Sequence, residues 1–463
     1  MFPLLASAYS RLPDSFFRPV NPTPTTNPQV VLWNSQLASE LGIQGEAENH
    51  AALLSGNTIF PGVQPIATAY AGHQFGHFVP QLGDGRAILI GETAGWEIQL
   101  KGAGRTPFSR GGDGRSALGP AIREFLASEA MHALGIPTTR ALAVTLTGEQ
   151  VYRDRPVPGA VFTRVARSHI RVGTFQYFAA RGDVEAVRAL ADHLIANYLP
   201  ANENYRNLFL AIRDSQAALI ARWMQAGFIH GVMNTDNMSA LGDTIDYGPC
   251  AFMDTFDPGT VYSAIDQDGR YAYANQPSIA AWNLARLAET LLDLIDPDRR
   301  TAIDWAQEAV HGFPQIFHAH WLCGMKAKVG LAVEHPDDEK LIEELLEAMH
   351  LAQLDFTLTF RTLANSIEPG LEPWLQRWRE RLKLEHRSPE EIAAAMRRVN
   401  PAYILRNHRV EWAIDAAVNQ GDFSKAIELQ TVLSKPFEEQ PEFAHYRDPP
   451  QPGAWKCQTF CGT

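Results

Sequence analysis

The hydrophobic period of this chain shifts from mostly strand-like to almost wholly helical along its length, and that shift limits the folds open to it. Between residues 80 and 101 the pattern alternates. Trp96, Ile98 and Leu100 fall on one face of a strand, and Glu97, Gln99 and Lys101 on the other. A first run, Ala87–Ile90, precedes it across Gly91–Gly95, so a hairpin is predicted. The runs ALAVTLTG, VYR and PGAVFTRVA extend the strand pattern to about residue 165. From about 183 onward the spacing is helical, which predicts helices over 184–198, 203–227, 277–293, 300–311, 338–362, 388–397 and 408–419. Two helices are predicted earlier, over 30–42 and 119–135. The second has Pro120 in its first turn, and each ends on a glycine. Strands first and helices after predict an α+β protein with a small β-rich lobe and a large helical one. We expect an N-terminal extension over 1–79 packed on the core, an N-lobe over 80–165 and a helical C-lobe over 166–435. A Pro-rich extended tail over 436–463 carries Cys457 and Cys461.

Charge narrows the partners. The net charge is −12, which speaks against nucleic acid or an anionic membrane as a partner. Yet residues 101–123 hold five cations against one acid, and residues 151–171 repeat that balance. Such a focus fits either a small polyanion, such as a nucleotide phosphate, or a solvated basic face. Four cysteines in 463 residues exclude a disulfide-built scaffold and predict a reducing compartment. The first residues lack a basic leader and are broken by Ser7, Ser10 and Arg11, and no uncharged apolar run approaches a membrane span. A cytoplasmic protein is expected.

The chemistry-bearing residues follow that frame. GDGR at 83–86 precedes a strand; it is a turn or a place where backbone approaches a phosphate. Lys101 ends the alternating strand on its polar face. Glu124 lies on the next helix, where a buried carboxylate needs a cation; Glu129 competes from another face. The stretch FIHGVMNTDNMSALGDTIDYGP, 228–249, is the sharpest signal. Asn237 and Asp246 offer hard oxygen ligands to Mg²⁺, and Asp246-Tyr247-Gly248 resembles the Asp-Phe-Gly of protein kinases. Met238–Ile245 between them is predicted to form a short hairpin. Lysine, helix glutamate, asparagine and Asp-Tyr-Gly thus occur in kinase order. One position breaks the pattern: where a kinase keeps its catalytic aspartate, this chain has Val232, and Asp236 is the nearest carboxylate that could accept a proton. His73 and His77 in GHQFGH have i, i+4 spacing but no accompanying glutamate and a glycine-rich setting, so zinc is disfavoured.

At these residues the sequence resembles the selenoprotein O (YdiU) family. The resemblance rests on GDGRA at 83–87, LKGAGRTPFSRGGDGR at 100–115, IREFLASEAMHALGIPTTRAL at 122–142, HIRVGTFQ at 169–176, GVMNTDNMS at 231–239, TIDYGP at 244–249 and NPAYILRN at 400–407. It implies a protein-kinase-like fold that moves AMP from ATP to Ser, Thr or Tyr hydroxyls of proteins. By position it implies that Lys101 pairs with Glu124 and that Gly83, Gly85, Arg86, Asp113 and Gly114 line the nucleotide pocket. Arg164 and Arg171 would hold the departing phosphates, Asn237 and Asp246 would bind Mg²⁺ or Mn²⁺, and Asp236 would accept the proton. UTP with Mn²⁺ is a further substrate within that family. Some members carry selenocysteine where this chain has Cys461, which raises a redox bridge from Cys461 to Cys250, with Cys457 and Cys323 as alternatives. A phosphotransferase and a non-catalytic nucleotide-binding or redox scaffold are the competing readings.

Overall fold

A computed structural model describes residues 2–201, 203–363, 365 and 370–451. The β-rich lobe is one antiparallel sheet. Its strands are β1 (Phe17–Pro19), β2 (Gln29–Trp33), β3 (Ile66–Thr68), β6 (Ala87–Thr93), β7 (Trp96–Lys101), β8 (Ser116–Ala117), β9 (Arg140–Tyr152) and β10 (Pro156–Ala166). The order is β1-β3-β6-β7-β10-β9-β2, with β8 added beside β10. Two short strands, β4 (Gly72–Gln74) and β5 (His77–Val79), form a separate hairpin. The predicted β6–β7 hairpin is present, with a bulge at Gly91 and the turn at Ala94-Gly95.

One face of the sheet packs on the Leu118–Ala133 helix through Ala121, Ile122, Phe125, Val144 and Phe162. The other face is covered by Phe2, Leu4, Leu37, Leu41 and Leu54 over Ile88, Ile98, Leu100 and Val161. The segment before residue 80 therefore does more than lie against the sheet, since it supplies three of its strands.

Several sequence expectations change. Residues 30–42 are not one helix: Gln29–Trp33 is a strand and the helix covers only Ser35–Glu40. The β-branched Val30 and Val31 favour the sheet, and Asn34 accepts the Leu37 N–H at 3.0 Å as an N-cap. The predicted 338–362 helix is two, Asp338–Leu351 and Phe356–Thr362, because Asp355 caps a new start on the Leu358 N–H. Helices Val172–Ala179, Phe313–Lys328, Glu372–Leu382 and Ser424–Leu433 were not predicted. The Phe313–Lys328 helix contains Gly324, a poor helix former. A Cβ there would sit 2.1 Å from the Gln225 side chain of the Tyr205–Ala226 helix, so the glycine serves close packing. Met238–Ile245 is not a hairpin: Ser239 bridges to Arg171 and Thr244 to Thr138.

The helical lobe is built around the Tyr205–Ala226, Gln276–Ile295 and Phe313–Lys328 helices. A short pair, β11 (Phe228–Ile229) and β12 (Ala251–Phe252), brackets the segment that carries Asn237 and Asp246. Among the described residues no helix is long and apolar enough to cross a membrane.

Candidate active site

A cavity of about 800 Å³ lies between the lobes. Gly83, Gly85, Arg86, Lys101, Asp113, Gly114, Glu124, Arg164, Arg171, Asp236, Asn237 and Asp246 all line it. The strand register explains the nearest of these. β7 and β10 run antiparallel with Arg164 opposite Gln99, so both side chains point to one face beside Lys101. Arg164 donates from Nε and Nη2 to Gln99 Oε1, at 3.2 and 2.6 Å. Lys101 Nζ lies 2.6 Å from Glu124 Oε1, which joins the sheet to the Leu118–Ala133 helix. Glu129 is engaged elsewhere, by Arg140.

Three cations converge on Asp246. Lys101 Nζ is 2.8 Å and Arg164 Nη1 2.7 Å from its Oδ1, and Arg171 Nη1 is 2.7 Å from its Oδ2. Burial alone would raise this carboxyl, but Lys101, Arg164 and Arg171 hold it well below the usual carboxylate range. Asp246 adopts φ +65°, a left-handed conformation in which few non-glycine residues sit. Its neighbours fix it there. His230 Nε2–H donates to the Ile245 carbonyl at 2.9 Å, and the Val232 N–H donates to His230 Nδ1 at 3.3 Å. Burial lowers the His230 pKa, which keeps that imidazole neutral.

Arg171 is placed by the segment that carries Asp236 and Asp246. The Val172 N–H donates to the Met238 carbonyl and the Ala240 N–H to the Ile170 carbonyl. Arg171 Nη1 also donates to the Asp236 carbonyl, and its guanidinium lies 4.7 Å from the Tyr70 ring centroid. Burial pushes the Tyr70 phenol up, so this ring stays neutral beside the anions.

Asp236 is different in kind. It is buried, and its Oδ1 has no hydrogen-bond partner among the described residues. Burial pushes its carboxyl up to about 6, against the pull of Arg171. A carboxylate of that poise suits proton transfer near neutrality.

The residues present fit a divalent cation of the Mg²⁺ type. Asn237 Nδ2 donates to the Val232 carbonyl at 2.9 Å, which leaves the amide oxygen as the end free to ligate. Asp246 adds a second hard oxygen donor, and Mg²⁺ commonly takes one or two carboxylates plus substrate phosphates.

The glycine-rich rim closes the other side. Gly114 has φ +69°, and a Cβ there would lie 2.2 Å from the Gly104 backbone, so only glycine lets the two loop segments meet. Asp113 at the mouth pairs with Arg153 at 2.8 Å. Arg123, Glu411 and Ile414 also line the cavity; sequence reasoning missed them. Arg123 bonds Asn407 Oδ1 at 2.9 Å and pairs with Glu411, both on the Asn407–Asp415 helix. No local signal marks that helix as part of the site; only the stretch NPAYILRN just before it hinted at a role.

His73 and His77 sit on the β4–β5 hairpin, not a helix, and His73 Nδ1 is 2.9 Å from Gln176 Nε2. Cys250 is buried just past Asp246 and Cys323 is exposed; Cys457 and Cys461 lie outside the described residues.

A β-sheet lobe with a lysine–glutamate pair, a helical lobe with an Asn and an Asp-Tyr-Gly, and a cation-rich cleft between them define a kinase-like nucleotide-dependent transferase. Comparison with known proteins narrows the class. A family model described as "Protein adenylyltransferase SelO" matches residues 4–434, and the chain belongs to that family. Among its relatives is a protein nucleotidyltransferase YdiU of Rhizobium rhizogenes, 56% identical over 99% of this chain and 96% of the relative. One from Rhizobium meliloti is 56% identical over 99% of both chains. One from Bradyrhizobium is 54% identical over 99% of this chain and 98% of the relative. This chain is thus an enzyme of the protein nucleotidyltransferase class.

Proposed function

We propose that the cleft transfers AMP from ATP to Ser, Thr or Tyr hydroxyls of protein substrates. The acceptor oxygen attacks the α-phosphorus, the bond to the β-phosphate oxygen breaks, and pyrophosphate leaves with the bonding electrons. The hydroxyl proton passes to Asp236. The product is a phosphodiester between the acceptor oxygen and AMP.

The observation that carries this reading is the convergence of Lys101, Arg164 and Arg171 on one half-buried carboxylate, Asp246. Attack at the α-phosphorus puts more charge on the leaving group than attack at the γ-phosphorus. Preorganised guanidiniums in the cleft stabilise that charge as it develops. Val232 at the kinase base position and Asp236 four residues on agree with a rearranged acceptor side. Asn237 and Asp246 would hold Mg²⁺ or Mn²⁺, which when bound neutralises phosphate charge. Gly83, Gly85, Arg86, Asp113 and Gly114 would line the nucleotide path.

The test is product analysis with ATP, a divalent cation and a mixed protein extract as acceptor. Release of pyrophosphate is expected, and Asp246→Ala is expected to abolish it. Formation of ADP with phosphorylated protein, or full activity in Asp246→Ala, would overturn the reading.

A further inference from the structure

The GHQFGH segment, whose setting disfavours zinc, is built into the site. Its strands β4 and β5 form a tight hairpin whose turn is Phe75-Gly76, with Phe75 at φ +49° and Gly76 at φ +84°. Three successive residues of this hairpin bond the segment that holds Asp236. The His73 N–H donates to Thr235 Oγ1 at 2.7 Å, Gln74 Nε2 to Asp236 Oδ2 at 3.4 Å, and the Phe75 N–H to Asn234 Oδ1 at 3.0 Å. Gln176 closes the assembly, since it accepts from Thr235 Oγ1 at 2.6 Å and meets His73 Nδ1. Tyr271 Oη donates to Asn234 Oδ1 at 2.6 Å from the far side.

Gly72 is the tightest point. A Cβ built there would lie 2.2 Å from Asp236 Oδ1, 2.7 Å from its Cγ and 2.9 Å from its Cβ. Gly72 does not occupy the left-handed region, so its backbone would accept alanine without strain. The absence of a side chain at Gly72 is therefore used for one thing, to make room for the Asp236 carboxylate. Gln74 and Phe75 line the cavity together with Asp236.

We propose that the β4–β5 hairpin is the positioning element of the proton acceptor: Gly72 opens the niche that lodges the Asp236 carboxylate, and Gln74 fixes its second oxygen. Gly72 and Gln74 are positioning residues, since they act through Asp236. This inference rests on the reading of Asp236 as proton acceptor. A carboxylate moved by an ångström from the attacking hydroxyl loses much of its effect on rate while leaving nucleotide contacts intact.

The experiment measures AMP incorporation into a mixed protein acceptor at saturating ATP, and separately the affinity for ATP, in the full chain. Asp236→Ala comes first; if it keeps the wild-type rate, the base assignment itself fails, whatever the hairpin does. With Asp236→Ala slowed to a low but measurable residual rate, Gly72→Ala is expected to slow transfer by about 10²-fold, the order seen when general-base catalysis is lost. Gln74→Ala is expected to slow it by about 5- to 10-fold, as a long hydrogen bond allows. Both should leave ATP affinity within about twofold. In an Asp236→Ala background Gln74→Ala should cause no further loss, because the two act as one unit. Gln74→Ala introduces no collision, so it decides the matter if Gly72→Ala fails to fold. Wild-type rates in both variants would overturn the proposal. So would a loss of ATP affinity equal to the loss of rate, or an additive loss in the double variant.

Discussion

Arg164 is almost fully buried, yet its guanidinium is shared between Gln99 and Asp246. That fork is a planar, multi-donor geometry that lysine cannot reproduce. Arg164→Lys is therefore expected to keep the positive charge but lose about 10²-fold in transfer rate, measured at saturating ATP; an unchanged rate would show that charge alone suffices. A second residue tests burial rather than catalysis. Lys328 Nζ lies 4.3 Å from the Phe360 ring centroid and 5.4 Å from that of Phe356, and burial lowers its pKa to about 7. The unfolded chain holds that proton up to about pH 10.5. Stability should then rise with pH between about 7 and 10.5, by about 1.4 kcal/mol per unit from this group. Lys328→Met should stabilise the fold most at pH 7 and below, and the gain should vanish near pH 10.5. A thermal-denaturation gain independent of pH would contradict this. At this scale the sequence was informative where charge and order carried the signal: Lys101, Glu124, Asn237 and Asp246 meet in space. It was silent on Arg123 and Glu411, which are 288 residues apart and have no local pattern to join them. It gave no hint that His73 meets Gln176 beside the segment that carries Asp236.

At the scale of elements, the strands and long amphipathic helices were legible from period, and the failures have local causes. Asn34 turned half of a predicted helix into a strand followed by a cap. Its side chain also donates to Glu129 Oε2 at 2.6 Å, so it ties the sheet edge to the Leu118–Ala133 helix. Asn34→Ala should cost about 1–2 kcal/mol in chemical denaturation without changing ATP affinity. The Phe313–Lys328 helix was missed because Gly324 and its aromatic neighbours have low intrinsic propensity. Gly324 there packs closely on Gln225 of the Tyr205–Ala226 helix. Gly324→Ala should destabilise by about 1–3 kcal/mol through overpacking, and Gln225→Ala should restore part of that loss. No restoration would place the cost in the helix backbone instead.

At the scale of the whole molecule, the β-rich part and the helical part follow from the shift of hydrophobic period along the chain, but the closure of the cleft between them does not. The segment before residue 80 completes the sheet and covers its outer face, and the β4–β5 hairpin reaches from it to Asp236. The Asn407–Asp415 helix reaches the same cleft from near the other end of the chain. Such long-range contacts depend on the assembled fold, and no window of sequence contains both partners. The overall charge of −12 coexists with a cation-lined cavity, which agrees with a triphosphate bound inside an acidic protein. The central claim is that this cavity directs chemistry to the α-phosphorus. The most direct measurement incubates the protein and a protein acceptor with a divalent cation and ATP labelled at either the α- or the γ-phosphate. Label from the α position alone should appear on protein; label from the γ position alone would contradict the account.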